Sequence, residues 1–152
     1  MPTLIPREKT QDFIGFETEA TDWLSIDQNR IDAFAECTLD RQFIHVDPEA
    51  AKLTPFGSTI AHGFLSLSLL SYFAEQLQVG IEGVEMGVNY GLDKVRFISP
   101  VKVDSNVRAR AKVMDIQEKN PGQYQLKLEV TLEIKGEQKP ALVAEWLFMQ
   151  FV

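Results

Sequence analysis

Two spacings of apolar residues divide this chain. As far as about Gly83 they recur at helical intervals, and beyond it they alternate with polar residues. Ser25-Ile26-Asp27-Gln28 carries the serine and glutamine of a capping box, and Ile26, Ile31, Phe34 and Ala35 follow at helical spacing, which predicts a helix from about Asp27 to Cys37. Asp47 before Pro48 predicts a second helix start, because aspartate caps free N–H groups and proline is tolerated in the first turn; that helix ends before Pro55. A third begins near Gly63 and is apolar on most faces through Leu77, with Gly80 placed to end it. A helix of that kind belongs inside a protein.

The alternation is clearest in Val107, Ala109, Ala111 and Val113, separated by Arg108, Arg110 and Lys112, and again in Leu126, Leu128, Val130, Leu132 and Ile134. Asn120-Pro121-Gly122 supplies a turn between the runs, so the pair is predicted to form a long antiparallel hairpin. Further strands are expected near Val88 to Ile98, Ala141 to Phe151 and Phe16 to Thr21. The sheet's apolar face needs a cover, and the helix after Gly63 is the candidate. The expected class is α+β, an antiparallel sheet wrapped around one central helix.

Composition narrows the function classes. At 152 residues, with 45% hydrophobic and 24% charged positions, the chain is expected to be one globular domain over residues 1–152. The longest apolar stretch, Gly63 to Ala74, is interrupted by Ser66, Ser68 and Ser71 and is shorter than the roughly 20 residues a bilayer requires. MPTLIPREKTQDF lacks a basic start followed by an apolar run, so no leader and a cytoplasmic location are expected. The net charge of −7 has no basic run to offset it, which speaks against nucleic acid and anionic membrane as partners. Cys37 is the only cysteine and is read as a small core residue; no close ligand repeat of the H-E-x-x-H kind appears, so no metal is expected.

Chemistry concentrates in two segments. Asp40-Arg41-Gln42-Phe43-Ile44-His45 falls between two predicted helices, where a loop can turn a carboxylate and an imidazole into one cleft. Such a pair can take a proton from water, orient that water and return a proton, an arrangement typically worth about 10²–10⁴ in rate. Taken alone, the pair fits a turn or a solvent-facing role as well as it fits catalysis. The second segment, Phe56-Gly57-Ser58-Thr59-Ile60-Ala61-His62-Gly63, leads directly into the third helix. Free N–H groups at a helix start can stabilise an oxyanion, which makes Gly63 the preferred donor; close packing of the loop against a strand is the other reading of that glycine. His62 at the helix start is read first as a local hydrogen-bonding residue.

DRQFIHVDPEAA, followed by TPFGSTIAHGFLSLSLL, resembles the hydratase motif of the MaoC-like hot-dog family. That motif opens on an Asp, has a His five residues later and a D-P after it, and closes with an F-G-x-x-I-A-H-G-x-L block before the central helix. NYGLDKVRFISPV is similar to the family's strand segment, so the likeness covers most of the chain from Trp23 onward. It is strongest toward bacterial (R)-specific enoyl-CoA hydratases of polyhydroxyalkanoate synthesis, with nodulation protein N-like members nearby.

The resemblance implies a hot-dog domain, an acyl-CoA substrate, no cofactor and a homodimer. It matches Asp40 and His45 to the catalytic pair, Gly63 to the oxyanion donor and Ser71 to a supporting serine, with Gln42 and His62 also in support. The family's usual D-x-N-P-x-H departs here, with Gln42 in place of Asn and Phe43 in place of Pro. Gln42 keeps an amide that can hold the carboxylate or the water, while losing the proline loosens the loop. Two other functions remain open: a hot-dog thioesterase using Glu75 on the central helix, and a non-catalytic acyl-thioester binding protein. Phe64, Leu65, Leu69 and Phe73 are candidates either for an acyl pocket of medium length or for the core. Lys94, Arg96, Arg108 and Arg110 are the candidates for the coenzyme A phosphates.

Overall fold

Alternating residues build the sheet, as their period predicts. In the computed structural model, which describes residues 3–152, the chain runs through β1 (Thr3–Ile5), a 3₁₀ segment (Arg7–Phe13), β2 (Leu24–Ile26), α1 (Gln28–Thr38), α2 (Phe43–Val46) and α3 (Pro48–Ala51). It continues through α4 (Gly63–Ser68), α5 (Leu70–Leu77), β3 (Val79–Ile81), β4 (Met86–Phe97), β5 (Ser105–Asn120), β6 (Gln123–Ile134) and β7 (Leu142–Phe151). Met1 and Pro2, where the leader-free reading of the N-terminus begins, lie outside the described residues. No helix among those described is long and apolar enough to cross a membrane.

Five strands form one antiparallel sheet in the order β2-β5-β6-β7-β4. Its long hairpin is the predicted one. Asn120 pairs with Gln123 around Pro121-Gly122, where Gly122 takes φ +76°, a left-handed value that glycine adopts without a side-chain clash. Val107, Ala109, Ala111 and Val113 are buried, as are Leu126, Leu128, Val130, Leu132 and Ile134 on the paired strand, so one face of the hairpin forms the core. Leu65, Leu70, Phe73 and Leu77 of α4 and α5 pack into that face.

Several local expectations are corrected. Asp27, not Ser25, caps α1: its carboxylate accepts from Arg30 N–H at 2.9 Å, while Ser25 belongs to β2. The central helix is neither continuous nor buried all round. It breaks at Leu69, and Ser68 Oγ donates back to the Phe64 carbonyl at 2.7 Å, a bond that bends helices. Its outer face leaves Phe64 and Tyr72 exposed, so Phe64 does not fill the core. Gln78 in the left-handed region (φ 52°) ends α5, and Gly80 lies within β3.

The Phe16 to Thr21 segment runs along β5 without becoming a regular strand. Thr18 and Thr21, three residues apart, bond to Ala111 and Ala109, two residues apart, and the threonine hydroxyls accept from those same alanine N–H groups. β1 and β3 pair in parallel as a separate two-stranded sheet that the apolar pattern did not announce. Cys37 is exposed rather than in the core.

Candidate active site

Three short pieces of chain meet beyond the end of α1. Leu39, at φ 65°, ends that helix and turns the chain into the Asp40 loop. Gln42 then starts α2, a single helical turn, so His45 sits on a helix and not in the open loop expected for it. Asp47 caps α3 through its carboxylate, accepting from Glu49 and Ala50 N–H at 3.1 Å each, as the Asp-Pro pair predicts. The third piece, residues 59–62, is pinned on both sides: Ile60 N–H donates to the Ile44 carbonyl at 3.0 Å and Ala61 N–H to the Val101 carbonyl at 2.7 Å.

This lacing fixes both imidazoles. His45 is buried, and its Nδ1 lies 2.6 Å from the Ile60 carbonyl. A carbonyl only accepts, so Nδ1 carries the proton and a neutral ring leaves Nε2 with a free lone pair. Burial holds His45 below the ordinary imidazole value, reinforced by the neighbouring His62 and opposed by the Ile60 bond and by Asp40. The ring is therefore neutral near pH 7.

His62 is also buried, and the same reasoning puts its proton on Nε2, which donates to the Asp40 main-chain carbonyl at 3.0 Å. Its Nδ1 is buried without a hydrogen-bond partner among the described residues, a state that costs about 1–3 kcal/mol. The two rings stack with centroids 3.8 Å apart and planes 23° apart.

Asp40 itself is exposed. Its Oδ1 accepts from Gln42 N–H at 3.4 Å, so it is the main chain of Gln42, and not the amide side chain, that reaches the carboxylate. Donor atoms of Asp40, His45 and His62 all lie within 4.8 Å of one another, close enough to consider a cation. Imidazole lone pairs lie in the ring plane, however, and two stacked rings present them side by side instead of converging on one ion. The group suits handling a water and its proton better.

A sequence profile of the MaoC like domain matches residues 9–135. The chain belongs to the MaoC-like family. It is 49% identical over 135 residues to nodulation protein N of Rhizobium leguminosarum bv. viciae, covering 88% of this chain and 84% of that one. It is 44% identical over 131 residues to 3-hydroxyacyl-thioester dehydratase Z of Mycobacterium tuberculosis, covering 86% of each. Among solved structures it resembles the (R)-hydratase from A. caviae involved in PHA biosynthesis, with TM-score 0.69, 25% identity and coverage of 89% of this chain and 94% of that one. The wrapped sheet and central helix are the hot-dog fold of this family.

Within that MaoC-like frame the remaining candidates separate. Gly63 is the first residue of α4, and its N–H meets no acceptor among the described residues. A Cβ there would lie 3.1 Å from the half-exposed Phe97 ring, so close packing also favours the glycine. Gly63 opens on a cleft of about 250 Å³ shared with Ile60, Phe97 and Val101.

Ser71 is not brought to the Asp40–His45 pair. Its hydroxyl accepts from Asn89 Nδ2 at 3.4 Å, and it lines a second cavity of about 300 Å³ with Ala74, Glu75, Trp146 and Phe148, whose walls include none of Asp40, His45 and Gly63. Of the suggested acyl-pocket residues, Leu65 and Phe73 belong to the core, and Leu69 packs against it. Arg108 and Arg110 both bind Glu133, at 2.6 and 3.0 Å, and Arg108 also lies 4.3 Å over the Trp23 ring, so neither is free for phosphate. Lys94 and Arg96 have no carboxylate partner among the described residues.

Sequence reasoning missed Gln28. Its Nε2 donates to the His45 carbonyl at 2.7 Å and to Asp32 Oδ1 at 2.9 Å, and its Oε1 accepts from Thr59, which ties α1, α2 and the third piece together. Only its place in the supposed capping box drew notice, and nothing local signals this longer reach.

Proposed function

We propose that this protein is an (R)-specific enoyl-CoA hydratase, adding water to trans-2-enoyl-CoA to give (R)-3-hydroxyacyl-CoA. The observation that carries the reading is an exposed carboxylate, Asp40, beside a buried neutral imidazole, His45, whose Nε2 lone pair is left free by the Nδ1 bond to Ile60. The two hold one water, and as its oxygen bonds to C3 they take its proton. The C2–C3 π electrons move toward the thioester oxygen, giving an enolate that the Gly63 N–H stabilises. C2 then takes a proton back from the pair and the carbonyl re-forms. Delivery of both hydrogen and hydroxyl from one face makes the addition syn. The reverse reaction is dehydration, which agrees with the name of the mycobacterial relative.

In this reading Lys94 and Arg96 take the coenzyme A phosphates, the acyl chain is of medium length and the product feeds polyhydroxyalkanoate synthesis. Two copies form a homodimer in the cytoplasm. Support for the metabolic role comes from the likeness to the A. caviae hydratase.

Purified protein mixed with crotonyl-CoA and longer trans-2-enoyl-CoAs is expected to bleach the enoyl-thioester absorbance and release (R)-product. Asp40→Asn and His45→Gln should each lower kcat at least about 10²-fold. Full turnover in both variants sinks the assignment. Release of free thiol in place of hydration points instead to a thioesterase. Binding without turnover points to an acyl-thioester binding protein, with Gln42 and Phe43 as the first residues to revert.

A further inference from the structure

His62 uses only half of its ring. It is 3% exposed, its Nε2–H donates to the Asp40 main-chain carbonyl at 3.0 Å, and its Nδ1 has no partner among the described residues. A phenylalanine would fill nearly the same slot between Phe34, whose centroid is 4.8 Å away, and His45 at 3.8 Å, without stranding a buried acceptor. Packing therefore does not account for an imidazole here, and a stranded polar atom in a folded protein calls for a reason.

What the imidazole supplies is one directed N–H, twenty-two residues along the chain from the carbonyl it holds. Besides this bond, the Asp40 loop is tied by the Arg41–Glu36 ion pair at 2.7 Å, which sits at the surface and so holds the neighbouring backbone weakly. Leu39, just before Asp40, is in the left-handed region, and the Asp40 carboxylate's one hydrogen bond among the described residues is from Gln42 N–H at a long 3.4 Å. The same ring lies flat on His45. His62 thus contacts both members of the pair, gripping the backbone of one and supporting the face of the other.

We propose that His62 is a positioning residue: it sets where the Asp40 backbone stands relative to the His45 ring, so that carboxylate and imidazole meet the same water. The proposal rests on the hydration reaction given above. A misplacement of about 1 Å between reacting groups can cost about 10²-fold in rate, and an exposed ion pair at Arg41 does not hold the loop that closely.

The test compares His62→Gln, whose amide N–H reaches about where Nε2–H stands, with His62→Phe and His62→Leu, which keep bulk and lose the donor. Steady-state kinetics on crotonyl-CoA are read beside the amide NMR signals of residues 39–45 in the unliganded protein. The Gln variant should keep kcat within about threefold of wild type; Phe and Leu should lose at least about tenfold in kcat with KM little changed, and melt no earlier than the Gln variant. The Asp40 amide signal should shift or broaden in the two apolar variants alone.

Wild-type kcat in either apolar variant, or an equal loss in Gln and Phe, overturns the proposal. If the wild-type protein does not hydrate crotonyl-CoA, the reaction assignment fails by itself. The positioning role is then decided by the Asp40 signal: movement in the apolar variants upholds it, and an unchanged signal ends it.

Discussion

His45 is a buried, neutral imidazole, and its tautomer follows from one contact. The 2.6 Å bond to the Ile60 carbonyl consumes Nδ1–H, so only Nε2 keeps a free lone pair. Burial, the largest influence on this ring, lowers its pKa below the ordinary 6.5. The consequence for stability has a definite sign. Between about pH 6.5 and the lowered folded value, the unfolded chain binds a proton that the folded ring refuses, so stability is full above 6.5 and falls as pH drops through that window. Urea unfolding of wild type and His45→Gln at pH 7.5 and pH 5.5 should therefore show a larger acid loss in the wild type. Equal losses would mean that the ring is not held neutral by its surroundings. Activity should fall in the same direction, because protonated Nε2 has no lone pair for water. Asp40 and His45 were legible in the sequence because their spacing belongs to a local motif. The tautomer was not, since Ile60 lies fifteen residues further along the chain and only folding brings its carbonyl to the ring.

At the level of elements, periodicity was a good guide where a face is buried and a poor one where a side chain decides. The β5–β6 hairpin follows from alternation and from Pro121-Gly122; each inward residue is where its parity puts it as far as Val113, after which an irregularity before Asp115 turns Ile116 inward. The break between α4 and α5 was hidden, because Ser68 reads as a small polar residue in an apolar run, and its bond to the Phe64 carbonyl acts on the backbone, not on the pattern. β1 and β3 are three residues each, too short for any period to appear. Gly63 joins both kinds of reasoning. Its φ is not in the left-handed region, so backbone conformation does not call for glycine; a Cβ would come within 3.1 Å of the half-exposed Phe97 ring, which would have to give by a few tenths of an ångström. Gly63→Ala should cost about 1 kcal/mol, the low end for overpacking, because the half-exposed Phe97 ring can move aside. Adding Phe97→Leu should recover most of that stability, because the clash is with a ring that leucine shortens. If thermal melts show no recovery in the double variant, the Phe97 contact is not what demands glycine. If stability returns and turnover does not, the position has a second role at the N–H.

For the whole molecule the telling feature is an unfinished edge. β4 is the last strand of the five, paired only with β7, and along it Met86, Val88, Tyr90 and Leu92 are all at least 42% exposed. A long edge strand carrying apolar side chains on both faces is a pairing template, and monomeric proteins blunt such edges with charge, proline or cover. Asp93, Lys94 and Arg96 lie toward the far end of β4, leaving the stretch from Met86 to Leu92 without a charged residue. Phe64 and Tyr72 add exposed apolar surface on the outer face of the central helix. The proposed homodimer closes this edge with a second β4, which joins two five-stranded sheets into one and requires the same patch on both copies. A net charge of −7 does not oppose it, because the contact strip itself is neutral and surface charges more than about 8 Å apart are largely screened at physiological salt. Light scattering after size exclusion should give twice the mass of the 17.2 kDa chain. Val88→Lys with Tyr90→Glu, placed in the middle of the strip, should shift the population toward monomer at micromolar concentration. Those substitutions touch neither Asp40, His45 nor Gly63. A monomer that retains full turnover would therefore show that the site is complete within one chain, whereas loss of turnover in a folded monomer would show that the second copy shapes it. A wild-type protein found as a monomer at every concentration would leave the apolar β4 edge without its proposed partner and refute the dimer outright.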